Sequence, residues 1–255
     1  MPFTASHPAA VLPLVGRAGL VPAGLVIGSM APDLPYFLQF GSDPSLTHSA
    51  VGVATIDLVL GLVAFAAWHG LVGPAVVAAG PAGLRARVGA PGPLRAQFAS
   101  AQATTSVVAS LVVGSATHVL WDAFTHAGRL GTQFVPWLSA DHAGLAGYRW
   151  AQYASGLAGL AVIAWWLARW WRRSPCRPAD PVDPPRVPAA AMFWVAIASA
   201  TLLAGIAGLA DALAADQGAR RGLFRAATWG GGAGLLTLLA ASGAVRARRS
   251  PRCGA

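Results

Sequence analysis

The sequence predicts an all-α polytopic integral membrane protein, a helix bundle of about five spanning helices preceded by an N-terminal helical hairpin. Three observations carry that expectation. The 255 residues are 55% hydrophobic and only 11% charged, with a mean hydropathy of +0.56, whereas a water-soluble domain carries about 25% charged residues. The apolar residues gather into runs close to the ~20 needed to cross a bilayer. The arginines fall in short segments between those runs, as they do in the cytoplasmic loops of membrane proteins. That placement reads the net charge of +9 as topology rather than as a nucleic-acid surface. All 18 basic residues are Arg and all 9 acidic residues are Asp, so a general base must be Asp, His or metal-bound water.

The first 49 residues lack the basic start of a signal peptide, since the first arginine is Arg17. They hold two short apolar stretches, about 8–18 and 22–31, separated by Arg17 and Gly19, with Pro22 suited to the first turn of a second helix. Neither stretch spans alone. An antiparallel hairpin brings its two ends, with His7 and Asp33, together; one continuous spanning helix would put them on opposite sides of the bilayer. Five apolar runs follow, at about 50–72, 99–121, 152–171, 190–210 and 226–244. The segment 81–97 carries Arg85, Arg87 and Arg95; 172–188 carries Arg172, Arg173, Arg177 and Arg186; the tail carries Arg246, Arg248, Arg249 and Arg252. The positive-inside rule places these three in the cytoplasm, the C-terminus included. Residues 1–49, 122–150 and 211–225 then lie outside, and Arg220, Arg221 and Arg225 oppose the last assignment.

Trp165, Trp166, Trp170 and Trp171 beside Arg169, Arg172 and Arg173 read as an interface anchor. The run Gly230-Gly231-Gly232-Ala233-Gly234 lacks the Lys-Ser/Thr of a phosphate loop and reads as close helix packing. Cys176 and Cys253 lie in Arg-rich segments, form no paired motif and are expected as free cytoplasmic thiols.

His118, Asp122 and His126 are four residues apart at the end of an apolar run. On a helix of about 3.6 residues per turn they form one stripe, with neighbours about 6 Å apart along the axis. Two imidazoles around a carboxylate are ligand chemistry for zinc, manganese or iron, and ionisable groups in an apolar helix are costly unless they serve a purpose. His48 opens the first spanning run. His7, Asp33, His48, His118, Asp122 and His126 are therefore candidate ligands gathered at the outer mouth of the bundle, enough for one metal with supporting partners or for two. Thr47, Ser49, Thr117 and Thr125 are candidate donors to the rings. Read singly, His7 and Asp33 can be plain capping groups and His118 a core histidine. Asp57 is half a turn off His48 and is expected to pair with another helix; His69 falls at the cytoplasmic end; Asp141 and His142 lie in a loop on the site's side; Asp211 and Asp216 read as loop charges.

The segments Met1-Pro2-Phe3-Thr4, Ser6-His7-Pro8-Ala9, Gly28-Ser29-Met30-Ala31-Pro32-Asp33-Leu34-Pro35-Tyr36-Phe37, Thr47-His48-Ser49, His118 to His126 and Tyr148-Arg149-Trp150-Ala151-Gln152-Tyr153 resemble the bacterial membrane-protein family called domain of unknown function 4184. The motif order is similar, more distantly, to the YdjM-like inner-membrane proteins described as metal-dependent hydrolases. The stretch Ser42-Asp43-Pro44-Ser45-Leu46 departs from the His-Arg-Gly-Phe found there, so one ligand or base is missing. The resemblance covers about residues 1–170, followed by an Arg/Pro-rich cytoplasmic loop over 171–189 and two further helices with a basic tail over 190–255. It implies a multi-pass protein of the bacterial cytoplasmic membrane. The expectation is a membrane-embedded metal-dependent hydrolase at the outer interface, with a divalent metal as cofactor, metal-bound water as nucleophile and membrane lipid, or a phosphoester, as substrate. The alternative is a non-enzymatic protein, a structural or metal-binding scaffold with the His/Asp set as a packing network. A transporter fits less well, because its polar groups belong at mid-membrane on several helices.

Overall fold

The computed structural model describes residues 4–17, 19–39, 44–176 and 187–249. Among these the chain is almost entirely helical, and its strands form one antiparallel pair, β1 (Asp141–His142) with β2 (Leu145–Ala146). The N-terminal segment is a hairpin: α1 (Pro8–Val11) runs on as a 3-10 turn over Leu12–Leu14, the chain reverses, and α2 (Pro22–Gly28) returns with proline in its first turn. A continuous spanning helix over residues 8–31 is therefore ruled out. A 3-10 turn, Ala31–Asp33, and a short helix, Leu34–Leu38, follow.

Five long helical segments then run back and forth between two ends of the molecule: α3 (Ile56–Ala79), α4 (Ala101–Thr125), α5 (Gly147–Arg173), α6 (Val187–Ala214) and α7 (Gly218–Arg249). At one end Arg87 lies 4.3 Å over the Trp171 ring, Trp194 Nε1 donates to the Ala79 carbonyl at 2.8 Å and Arg246 donates to the Gly70 carbonyl. At the other end α4, α5 and α7 meet around one cavity. Four segments are long and apolar enough to cross a membrane: Ile56–Ala79, Ala101–Phe134, Gly147–Arg173 and Ala189–Ala214. Their outward side chains agree, since Val59, Leu120, Leu157 and Leu203 are each more than half exposed. The chain is thus a multi-pass membrane protein. The α7 helix is long as well, at 32 residues, but its glycines and arginines dilute its hydropathy.

The first spanning helix is displaced from the expected 50–72. Ser49 Oγ caps a short helix, Ala50–Ala54, by accepting from Gly52 N at 3.0 Å. Thr55, at φ −124° and ψ −91°, breaks the backbone, and α3 starts only at Ile56. It continues past 72 through a π turn over Trp68–Val72. Pro74 has no N–H to give to Gly70, whose carbonyl is taken instead by Arg246.

A pair of glycines seats the hairpin. Gly28 on α2 lies against the Leu111 backbone of α4, and Gly114 on α4 lies against the backbone of Leu25 and Ser29; a Cβ on either would collide with main chain. The backbones can therefore touch, and Ser115 Oγ donates to the Gly28 carbonyl at 3.1 Å while Val21 N donates to Ser110 Oγ at 2.8 Å. Phe65, Val107 and Leu111 are fully buried beneath this contact. The glycine run of α7 packs closely as well, with Gly231 and Gly232 against Phe37 and Gly230 against Thr201 and Gly205.

Candidate metal centre

Sequence spacing places His118 and Asp122 one turn apart on α4, and both face inward, fully or nearly fully buried. The hairpin's return brings Asp33 beside them, and the turn before Ser49 brings His48. Their donor atoms converge. His48 Nε2 lies 3.3 Å from Asp33 Oδ1 and 3.4 Å from Asp122 Oδ2. His118 Nε2 lies 3.6 and 3.5 Å from the same two oxygens. The two Nε2 atoms are 3.4 Å apart. A tetrahedral zinc with bonds of about 2.0–2.2 Å has ligand–ligand edges of about 3.3–3.6 Å. Five of the six edges of such a tetrahedron are these five distances. All four residues are buried, and their ligand atoms lie within 4.8 Å of one another.

Neighbouring groups fix the rings. His118 Nδ1 is 2.8 Å from the Ser29 carbonyl, which can only accept, so Nδ1 carries a proton and Nε2 is the nitrogen turned toward the carboxylates. Thr47 Oγ1 is 3.0 Å from His48 Nδ1 and holds the orientation of that ring. Thr4 Oγ1 donates to Asp33 Oδ2, the oxygen turned away from the imidazoles. Arg129 Nη1 donates to the His48 carbonyl at 3.1 Å. Of the other hydroxyls expected near the rings, Thr125 lies 3.3 Å from Asp122 Oδ1 and 3.2 Å from His126 Nδ1. Ser49 and Thr117 instead bond backbone carbonyls, at Leu46 and Gly114.

His7 and His126 gather on the other oxygen of Asp122. His7 Nε2 is 3.6 Å and His126 Nδ1 3.3 Å from Oδ1. The His7 ring stacks on His118 with centroids 3.8 Å apart, and its Nδ1 is buried with no hydrogen-bond partner among the described residues. The helix ends at Thr125, so His126 leaves the stripe on extended backbone and its Nε2 meets the Gln152 amide at 2.9 Å. All six candidate residues thus share one site, with four in the inner set and two on its rim. Asp57 is fully buried, and among the described residues neither of its oxygens is hydrogen-bonded, so the expected pairing with another helix is not found there. His69 bonds the Gly92 carbonyl, and His142 stacks on Trp137, away from the centre.

The electrostatics follow from burial and mutual contact. Burial opposes ionisation of Asp33, but hydrogen bonds with His118 and His48 outweigh it and hold the carboxyl well below its usual range. Burial likewise opposes a charged His48, and its bonds to Asp122 and Asp33 raise its pKa nonetheless. For His7 burial first, then the neighbouring His118, outweigh the charges of Asp122 and Asp33 and lower it to about 4. Burial, followed by the charge of Asp33, pushes Tyr36 up to about 12. A cavity of about 210 Å³ opens on the cluster, reaching Asp33, His48 and Asp122 but leaving His118 behind them. Tyr36, Trp121 and Phe224 are among its walls, and Trp121 Nε1 is anchored on Ser155 Oγ at 3.0 Å. Thr4, the Ser29 carbonyl and Gln152 were not candidates from sequence. The first two act through a hydroxyl or main-chain atom of no distinctive spacing, and only the adjoining Ser6-His7 and Pro32-Asp33 hint at them.

A family model described as a domain of unknown function, DUF4184, matches residues 1–243. The match runs past residue 170, the limit of the recognisable motifs, and takes in α6 and nearly all of α7. No curated protein and no solved structure matches the chain.

Proposed function

The chain belongs to the DUF4184 family, and we propose that it is a membrane-embedded metal-dependent hydrolase whose centre is Asp33, His48, His118 and Asp122. The observation that carries the reading is the set of donor separations, five of which match the edges of a zinc tetrahedron. Zinc fits this donor set best; manganese and iron are the other candidates. A divalent ion held there would supply Lewis acidity and lower the pKa of water entering from the cavity, zinc being able to expand from four ligands to five. The chain's own residues do the rest. Asp33 and Asp122 balance the ion's charge, and the Ser29 carbonyl and Thr47 keep both imidazoles turned toward it. His7 and His126, on the rim, stand where a proton must be taken up or delivered. Tyr36, Trp121 and Phe224 offer an apolar approach suited to an amphiphile, so membrane lipid or a phosphoester at the outer face of the bacterial cytoplasmic membrane is the substrate class in this reading. Five spans with a cytoplasmic C-terminus complete it, and nucleic acid has no part in it.

A second reading rests on the same contacts: each histidine of the cluster faces a carboxylate, so the set can also serve as a polar packing network. Metal content separates the two. Elemental analysis of the detergent-purified protein is expected to give near-stoichiometric metal, lost in a folded His118→Ala/Asp122→Ala variant. A metal-free parent after attempted reconstitution with zinc, manganese and iron would leave the packing network.

A further inference from the structure

Beyond His126 the cavity over the centre runs into a second, wider one of about 830 Å³, and the two share His126, Arg129, Gln152 and Phe224 as walls. The wider cleft is lined by Arg129, Arg149, Arg220 and Arg221, the last two exposed, and among the described residues no carboxylate lines it. Four guanidinium groups repel one another wherever solvent is thin, and this chain has only 9 acidic residues against 18 arginines. Pairing is nevertheless used close by: Arg225, one turn further along α7, is bridged to Asp211. Arg129, Arg149, Arg220 and Arg221 make no ion pair among the described residues. Arg129 holds the His48 carbonyl and Arg149 Nε meets Tyr148 Oη at 3.1 Å, so two of the four are already oriented. Arg129 thereby ties the cleft to a residue of the metal centre.

We propose that this cleft is an anion subsite for the phosphate group of a phosphate monoester, held with its phosphorus toward the centre and its ester bond pointing away from it. The proposal rests on the hydrolase reading and narrows its substrate class. Guanidinium forks match phosphate oxygens two at a time, and four of them balance the charge of a doubly charged phosphate. The reaction is then hydrolysis: the oxygen of water bonds to phosphorus, the ester P–O bond breaks, and a proton from water goes to the departing alcohol oxygen. The alcohol leaves as such and the phosphate remains among the arginines. A lipid headgroup and a soluble phosphate ester present the same group, and the test tells them apart.

The test uses the full chain in lipid nanodiscs and compares the parent with Arg220→Gln/Arg221→Gln and Arg220→Lys/Arg221→Lys. Binding of inorganic phosphate is measured by calorimetry, binding of phosphatidic acid by its incorporation into phosphatidylcholine nanodiscs, and metal content and Tm on the same samples. The Gln variant is expected to weaken phosphate or phosphatidic acid binding at least about tenfold, a loss of one charge-assisted contact or more, with metal content and Tm unchanged. The Lys variant is expected to lie between. Binding of phosphatidic acid that inorganic phosphate does not displace identifies a lipid headgroup; equal competition identifies a soluble ester. A parent that binds neither probe, or a Gln variant that binds as tightly as the parent, overturns the subsite while leaving a metal-loaded hydrolase centre standing. Arginine-dependent phosphate binding by a parent without metal instead removes the hydrolase reading and keeps the anion site.

Discussion

The Ser29 carbonyl decides which nitrogen of His118 is offered to the centre, because an acceptor at 2.8 Å from Nδ1 holds a proton there and turns Nε2 toward the carboxylates. Control of this kind cannot be read from sequence: every residue carries a carbonyl. The ligand side chains themselves could be read. His118 and Asp122 follow from helical period alone, and His7, Asp33 and His48 stand out as ionisable groups in an apolar chain. Their division into an inner four and a rim pair could not, because His126 looks like the next member of the stripe until the helix ends one residue before it. Thr4 is the sharpest test at this scale, being a buried hydroxyl whose bond goes to the back of Asp33. Thr4→Val keeps the shape and removes the donor. It is expected to weaken metal binding about 10–100-fold, the usual effect of losing a ligand's supporting partner, as read by chelator competition. An unchanged affinity would show that Asp33 is positioned by its helix turn alone. Asp57 tests the opposite situation, since its carboxylate is buried with no hydrogen-bond partner among the described residues. Asp57→Asn is expected to leave Tm unchanged or to raise it, and a marked fall would mean the carboxylate is doing something its surroundings do not reveal.

At the scale of elements, the site exists because a hairpin too short to span lies along α4. Its breaks were legible in Arg17, Gly19 and Pro22, and the need to bring His7 and Asp33 together favoured a hairpin over a spanning helix. Its depth was not legible. Gly19 lies beside Ser106, some twelve residues below His118, or about 18 Å along the helix axis. Gly28 and Gly114 make that depth possible, and no period in the sequence marks two glycines on different elements as partners. Replacing either forces a Cβ into backbone, and backbone gives way less readily than the end of a side chain. Gly114→Val is expected to destabilise by about 1–3 kcal/mol or more, the range for overpacking. Because the displaced segment carries both Asp33 and the Ser29 carbonyl, metal should be lost as well. Ser115→Ala, which removes only the bond to Gly28, is expected to cost about 1 kcal/mol and to keep the metal. Equal behaviour of the two variants in thermal melts and metal analysis would show that close approach is not what seats the hairpin.

At the scale of the whole molecule, the two ends differ in kind. One carries the Arg-rich loop 81–97, the Trp165–Trp171 cluster and the end of α7; the other carries the His/Asp centre and the arginine cleft. The alternation of α3 to α7 between them agrees with the order of arginine-rich segments, so this much of the architecture was written in the charge pattern. The exceptions, Arg220, Arg221 and Arg225, looked like errors of topology because a charge count does not distinguish an arginine kept for orientation from one kept for a ligand. Arg225 is neutralised by Asp211, and Arg220 and Arg221 line the cleft. These three arginines thus have contacts at the site's end of the molecule that a charge count does not register. The orientation can then be tested with thiols. Cys176 is exposed and free at the arginine-rich end. With Cys253→Ser in place, a membrane-impermeant maleimide is expected to label Cys176 only after intact cells are permeabilised. With Cys176→Ser and Cys253→Ser, an added Ala140→Cys beside β1 is expected to be labelled in intact cells. The reverse pattern would turn the molecule over, place the metal centre in the cytoplasmic leaflet, and require that its substrate be made or delivered on that side.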